Sequence, residues 1–398
     1  MSEARARRAI VLVMDACGVG ALPDAASYGD EGTNTLAHLA EAVGGLALPC
    51  LQELGLGSIT PLLGVPPSDA PAIHGALHPL GPGKDSISGH RELMGVVAQH
   101  APPTYPDGFP PEVIERLRSA TGHALICNRA DNGIAAIEEF GPEHLRSGAL
   151  IAYTSQDSVL QLAAHVERLT VEELHRACLA ARAVMTGEHA VGRVIARPFT
   201  GVEGRFERTD GRRDFAVLPA GRSYLEELES AGVAVHGVGK IRDLFAGVGV
   251  GSSHPGATNS EAFDSVERLL GEPDEALVFA NLIETDQNYG HRKDIPGFER
   301  ALREIDRRIA SILEGLREDD LLIVTADHGV DPSHAGTDHT REYAPLLAIT
   351  GAAVRRRGEG APDNGARHDG PLADVGASVL RWLTGSTAKE LPGRAFLS

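Results

Sequence analysis

Three stretches of this chain are almost wholly apolar, without the alternation of a half-exposed strand, and each ends in a carboxylate. Residues 10–14 run into Asp15, residues 277–283 into Glu284-Thr285-Asp286, and residues 321–326 into Asp327. Continuous apolar runs suit strands whose two faces are both covered by helices. In open α/β sheets, ligands gather beyond the carboxyl ends of the strands. Three acidic strand ends therefore predict a common rim with a site on it. Between the last two runs, Phe298, Ala301, Leu302, Ile305, Ile309, Ile312, Leu313 and Leu316 recur at helical spacing, with Gly297 before them and Gly315 near their end. Strand, helix, strand is a βαβ unit, which predicts a parallel sheet there.

The middle of the chain reads differently. From about residue 100 to 219 there are proline-rich joints, a helix pattern from Val171 to Met185 with Leu174, Cys178, Ala181 and Met185 on one stripe, and a strand over residues 191–196. The expected organisation is an α/β core from residues 1–100 and 220–398, with an inserted α+β domain over 101–219. A length of 398 residues accommodates two domains. Neither internal repeats nor low-complexity tracts are present.

Composition excludes some classes. A net charge of −18 is wrong for a nucleic-acid binder, which needs a basic face. No stretch approaches the ~20 apolar residues of a membrane span. Arg5, Arg7 and Arg8 before an apolar run look faintly like a leader, but Asp15 ends the run after five residues, short of the ~7–15 a secretory signal needs. Cys17, Cys50, Cys127 and Cys178 form no C-x-x-C pair and no disulfide framework. The expectation is a cytoplasmic protein with free thiols.

Histidines sharpen the rim. Asp327 is followed by His328, His339 lies in the run from Gly336 to Glu342, and His291 follows Asp286 by five residues. Mixed Asp and His sets suit Mn²⁺ or Zn²⁺. Six such groups suffice for two ions, which clamp the attacking and leaving oxygens of a phosphoryl displacement. His334, in the same region, is not included. The run Gly83-Lys84-Asp85-Ser86-Ile87-Ser88-Gly89-His90 holds two serines before a helix expected from Arg91. A hydroxyl at a helix N-terminus meets N–H groups suited to phosphate; spacing alone does not choose between Ser86 and Ser88.

Over nearly its whole length the chain resembles the alkaline phosphatase superfamily and, within it, the phosphopentomutase family. The resemblance is carried by the segments beginning at Val13, Pro23, Gly83, Tyr153, Val191 and Gly239, and by those beginning at Thr325 and Gly336. It implies an alkaline phosphatase-like core with a mostly parallel sheet flanked by helices, plus a cap. It implies one metal, usually manganese, on Asp286, His291 and His339, and a second on Asp15, Asp327 and His328. Ser86 would be the phosphorylated residue, where the family usually has threonine. The implied reaction interconverts ribose or deoxyribose 1-phosphate and 5-phosphate, primed by a sugar bisphosphate, with Ser155, Asp157, Arg197 and Lys240 reaching the sugar or its distal phosphate. Pentose phosphates would be the partners, with no nucleic acid or membrane involved. The alternative is another metal-dependent phosphosugar mutase, or a phosphohydrolase, on the same core. Glu284-Thr285 stands where the family usually has Asp-Phe, and residues 128–134 lack its usual Ala-Ser-Gly-Thr run; both departures bear on substrate preference.

Overall fold

The computed structural model describes residues 7–155, 158–272, 275–356 and 365–397. The chain forms two compact units: residues 1–100 with 219–398, and residues 101–218.

The first unit is built on eight strands: β1 (Arg8–Met14), β2 (Ile73–His78), β3 (Ala234–Val238), β4 (Ser252–His254), β5 (Ala276–Leu282), β6 (Asp320–Thr325), β7 (Ala344–Thr350) and β8 (Gly370–Pro371). Their order is β4-β3-β5-β1-β6-β7-β2-β8. All pairings are parallel except those of β7, which is antiparallel to β6 and β2. The three apolar runs are the central strands. Every residue of β1, β5 and β6 is buried, as continuous runs predict for a sheet covered on both faces. Each fully buried Val, Leu or Ile contributes about 1.5–3 kcal/mol.

Arg8 is part of this core. Its guanidinium is buried and pairs bidentately with Asp320 at 2.8 and 2.5 Å, while Nη1 donates to the carbonyls of Leu270 and Glu272. This basic residue is thus an internal strand anchor.

The amphipathic pattern before β6 is the helix Ile295–Gly315, whose buried side chains include Phe298, Leu302, Ile305, Ile309 and Ile312. Asp306 sits on the same buried face. It accepts from the backbone N–H groups of Cys50 and Leu51, opening the short helix Pro49–Glu53. The helix expected from Arg91 instead begins at Ser86 and ends at Leu93. Asp85 is its N-cap, accepting from Ile87 and Ser88; Asp at this position supplies the acceptor that the first-turn N–H groups lack.

The second unit is a mixed sheet in the order Leu125–Ala130, Leu150–Thr154, Val159–His165, Arg193–Val202, Arg205–Arg208, with Arg213–Ala216 also on the Arg193–Val202 strand. Parallel and antiparallel pairs alternate. The helices Pro111–Thr121 and Val171–Val184 cover one face around Val113, Leu117, Leu160, Leu174 and Val194. The helix Gly133–Ser147 covers the other around Ile137, Ile151, Tyr153 and Phe199. The unit therefore has its own core. Cys17, Cys50 and Cys178 are buried free thiols, and Cys127 is half-buried.

Candidate active site

Register brings the acidic strand ends together. Met14 lies opposite Leu282 and Val13 opposite Thr325, so the chain leaves β1, β5 and β6 at one level. Asp15, Asp286 and Asp327 are all buried there.

Each carboxylate is held differently. After Asp15 the backbone turns through Ala16 at φ 62°, a left-handed conformation that costs a non-glycine residue of order 1 kcal/mol or more. The turn aims the Ala16 N–H at Asp327 Oδ1, 3.2 Å away, and His328 N donates to the same oxygen at 3.1 Å. Asp15 Oδ2 accepts from Asn281 Nδ2 at 2.8 Å. One oxygen of Asp15 and of Asp327 is thus tethered to the protein, and the other faces the cluster. Asp286 opens a single π-helical turn, Thr285–Gly290, whose i→i+5 bond runs from His291 N to Asp286 O at 3.2 Å. The five-residue spacing of Asp286 and His291 matches that bond, so both side chains serve one site; π-turns occur mostly as single insertions of this kind.

The imidazoles converge through Nε2. His291 Nε2 is 3.3 Å and His339 Nε2 3.5 Å from Asp286 Oδ1. His328 Nε2 is 3.4 Å from Asp15 Oδ1 and 3.3 Å from Asp327 Oδ2. His291 Nδ1 donates to Thr337 O at 2.6 Å and His328 Nδ1 to Gly329 O at 3.1 Å. Such carbonyl partners fix the tautomer and leave the Nε2 lone pair for a metal. Two overlapping groups have metal-ligand proximity, Asp286 with His328 and His339, and Asp15 with Asp327 and His328. His291 lies beside the first through Asp286 but is half-exposed. His334 turns away, its Nε2 donating to Gly29 O.

Charge crowding at this rim calls for cations. Burial, then the neighbouring Asp327 and Asp286 carboxylates, push Asp15 well above the ordinary carboxylate range. Burial also pushes Asp286 up, but His339, His291 and His328 outweigh it and hold the group low. For Asp327 burial is likewise opposed, by His328 and His90, to a value of about 2. Asp286 Oδ1 and Asp327 Oδ2 are buried without a hydrogen-bond partner among the described residues. His90 Nδ1 lies only 2.9 Å from Asp327 Oδ2, yet it directs its proton to Ser86 O. Two unpartnered buried carboxylate oxygens among three imidazole lone pairs are a donor set that fits divalent cations.

The two serines separate clearly. Ser86 Oγ is 3.1 Å from His328 Nε2 and 3.4 Å from Asp15 Oδ1. Ser88 Oγ is buried and donates to Asp85 Oδ2 at 2.7 Å. The first-turn N–H groups of Ile87 and Ser88, expected to face phosphate, are occupied by Asp85.

Several residues were not legible as site residues. Gly89 packs against the Asp327 backbone so tightly that a Cβ would lie 2.4 Å from Asp327 O. Glu342 is buried and accepts from Gly20 N, Thr35 N, Thr35 Oγ1 and Thr340 Oγ1, tying the loop that carries His339 to the loop after β1. Arg341 reaches Asp24 and Gly83 O and lies over the Tyr28 ring. Thr285 Oγ1 donates to Asp15 O at 2.6 Å, and Glu284 accepts from Asn259 N and Asn288 Nδ2. The two departures Glu284 and Thr285 thus serve to brace the rim.

Of the expected sugar-contacting residues, Lys240 follows Gly239 after β3, and its charge acts on Asp15. Ser155 follows the strand Leu150–Thr154, and Arg197 lies on Arg193–Val202 in the second unit. Arg197 Nε donates to Gln161 Oε1 at 3.0 Å. Burial first, then the nearby Arg212, lowers its pKa to about 10. Asp157 lies outside the described residues. No helix among the described residues is long and apolar enough to cross a membrane.

Comparison with known proteins agrees with this geometry. Residues 7–386 match the family described as the metalloenzyme superfamily. A phosphopentomutase of Carboxydothermus hydrogenoformans is 48% identical over 343 residues, 86% of this chain and 88% of that protein. One from Caldanaerobacter subterraneus subsp. tengcongensis is 45% identical over 386 residues, 95% of this chain and 98% of that protein. One from Acetivibrio thermocellus is 43% identical over 392 residues, covering 98% and 99%. With an alkaline phosphatase-like core, a donor set for divalent metal and relatives of this similarity along nearly its full length, the chain belongs to the metalloenzyme superfamily and, within it, to the phosphopentomutase family of isomerases.

Proposed function

We propose that this enzyme interconverts ribose or deoxyribose 1-phosphate and 5-phosphate through a phosphoserine at Ser86. The observation that carries the proposal is the Ser86 hydroxyl, 3.1 Å from His328 Nε2 at the mouth of the carboxylate cluster. Asp286, His291 and His339 would hold one divalent ion and Asp15, Asp327 and His328 the other; the oxygen and imidazole set suits Mn²⁺ or Zn²⁺, and Mn²⁺, usual in this family, is the ion proposed. When bound, the ions supply positive charge that lowers the Ser86 hydroxyl pKa and offsets charge on the transferring phosphoryl group.

The chain's own residues do the rest. The Asp85 cap and the Ser86–Leu93 helix fix the hydroxyl; Asp15 and Asp327, each tethered through one oxygen, hold the acidic wall behind it. Phosphorylated Ser86 passes its phosphoryl group to the free hydroxyl of the sugar monophosphate, which gives up a proton, and the resulting bisphosphate returns its other phosphate to Ser86. A sugar bisphosphate would prime the cycle by phosphorylating Ser86. Lys240, Ser155, Asp157 and Arg197 would bind the sugar and its distal phosphate. We infer a cytoplasmic location from such substrates.

The test is turnover of ribose 1-phosphate to ribose 5-phosphate with released phosphate monitored, together with the mass of the intact protein after incubation with a sugar bisphosphate. One added phosphate mapped to Ser86 is expected. A label on Ser88, or full activity in Ser86→Ala, would move the nucleophile elsewhere, and stoichiometric phosphate release would make the enzyme a hydrolase.

A further inference from the structure

We infer that His90 and Asn281 act as a pair of positioning residues that locks Asp15, Asp327 and Ser86 into one arrangement from behind the site. The inference rests on the proposal that Asp15 and Asp327 are metal ligands. Asn281 is the penultimate residue of β5 and is fully buried. Its Nδ2 lies 2.8 Å from Asp15 Oδ2 and 3.1 Å from His90 Nε2. A side-chain amide carries two N–H protons, and these two contacts use both. The opposite amide orientation would set a carbonyl oxygen against the Asp15 carboxylate, so charge decides the assignment.

The consequence reaches His90. Its Nε2 faces a donor and must therefore accept, which leaves the ring proton on Nδ1. That nitrogen is 2.9 Å from Ser86 O and 2.9 Å from Asp327 Oδ2. His90 is four residues after Ser86 on the same helix, so one ring bonds the backbone of the serine and touches the carboxylate behind it. The connection Asp15–Asn281–His90–Asp327 is continuous, and neither middle residue is exposed.

The pair is also costly to keep. Asn281 Oδ1 is buried with no partner among the described residues, and an orphaned acceptor in a core costs about 1–3 kcal/mol. An aliphatic residue in this central strand would avoid that cost. What the amide provides instead is a donor aimed at Asp15 that holds its Oδ2 and leaves Oδ1 to face the site.

The experiment is a calorimetric titration of the metal-free full-length protein with Mn²⁺, alongside melting of the metal-free form and steady-state kinetics. The variants are Asn281→Leu, which removes the donor, His90→Phe, which removes both ring nitrogens, and His90→Asn, which keeps a donor near the Nδ1 position. Outer partners of ligands typically change metal affinity by about 10–100-fold. We expect Asn281→Leu and His90→Phe to weaken one of the two ions by that factor and to lower kcat more than they raise KM, with His90→Asn regaining part of both. Affinities within twofold of the unaltered protein for both ions in Asn281→Leu and His90→Phe would overturn the inference. So would a drop in metal-free melting with no change in affinity, since that is what a purely structural role produces. Should either variant fail to fold, Asn281→Ala and His90→Ala, which also remove the donors, carry the same affinity comparison. Asp327→Asn separates the two levels: if it leaves two ions bound with unchanged affinity, the ligand assignment fails, whereas if it loses an ion and the pair variants do not, only the pairing fails.

Discussion

Gly89→Ala is the sharpest probe of how the Ser86 hydroxyl is placed. A methyl group at position 89 would sit 2.4 Å from Asp327 O and 2.7 Å from Asp327 Cβ. Cβ atoms in folded proteins do not approach closer than about 3.0–3.4 Å, so the Ser86–Leu93 helix must back away by roughly 0.6–1.0 Å. Gly89 has no positive φ, so alanine is not strained there and gains about 1 kcal/mol of helix propensity. Overpacking costs about 1–3 kcal/mol. The net stability change is therefore small, about 0–2 kcal/mol of destabilisation. Activity should respond far more, because the displaced helix carries Ser86 away from His328 and Asp15, and a misplacement near 1 Å costs on the order of 100-fold. The measurements are kcat for pentose phosphate isomerisation and the melting temperature of the metal-free protein. Loss of activity out of proportion to a melting shift of a few degrees is expected. A variant with at least half the normal kcat would refute the reasoning, because the helix position would then not govern the serine.

Three further outcomes follow from the described contacts. Asp331 accepts from Asn34 N and Ser333 and sits 2.6 Å from His38 Nδ1; burial raises its pKa, but the Asn34, Ser333 and His38 hydrogen bonds outweigh it, so the net shift is downward. Its stabilisation is present above the ordinary carboxylate range and is lost as pH falls through the lower folded value, so Asp331→Asn should lower stability at pH 7 and converge on the unaltered protein at strongly acid pH in denaturant titrations. Arg8→Met should cost about 3–5 kcal/mol by stranding the buried Asp320 charge, while Arg8→Met with Asp320→Leu should cost much less, as urea unfolding of the single and double variants would reveal. Chelation should lower the melting temperature of the unaltered protein in proportion to the logarithm of metal concentration and leave Asp327→Asn less responsive.

The central sheet was legible because burial on both faces favours nearly continuous apolar runs, and three of those runs form β1, β5 and β6, with Asn281 the polar exception in β5. The acidic ends were legible because strand polarity fixes where loops meet. His90, Asn281 and Glu342 were not, for they act through hydrogen bonds between segments nearly 200 to more than 300 residues apart, and nothing in local spacing marks such partners. The start of the Ser86 helix was misread because a Gly89 inside it looks like a breaker, when its lack of a Cβ is what lets the helix approach Asp327. Asp306 escaped notice for the opposite reason: a charge on the apolar stripe of a long helix violates the pattern until its two backbone partners are seen. By spacing alone Ser86 and Ser88 are equivalent; the structure separates them, since Asp85 engages the Ser88 hydroxyl while that of Ser86 lies beside His328 and Asp15.

The position of β1 bears on how the polypeptide matures during synthesis. This first strand lies between β5 and β6, which begin at Ala276 and Asp320. Translation at about 5–20 residues per second leaves its apolar residues without either partner for roughly 15–50 seconds after they are made. Residues 101–218 emerge during that wait with a core of their own, so they can complete their fold while the earlier strand is still unpaired. Closing that long loop is slow, since it must precede any reward from sheet pairing. The nascent enzyme thus passes through a stage in which residues 101–218 are folded while the apolar strand β1 still lacks both of its partners. Chaperone demand should be greatest over that interval, and ribosome stalling shortly before Ala276 is made should yield chains with a folded insert and a protease-sensitive β1.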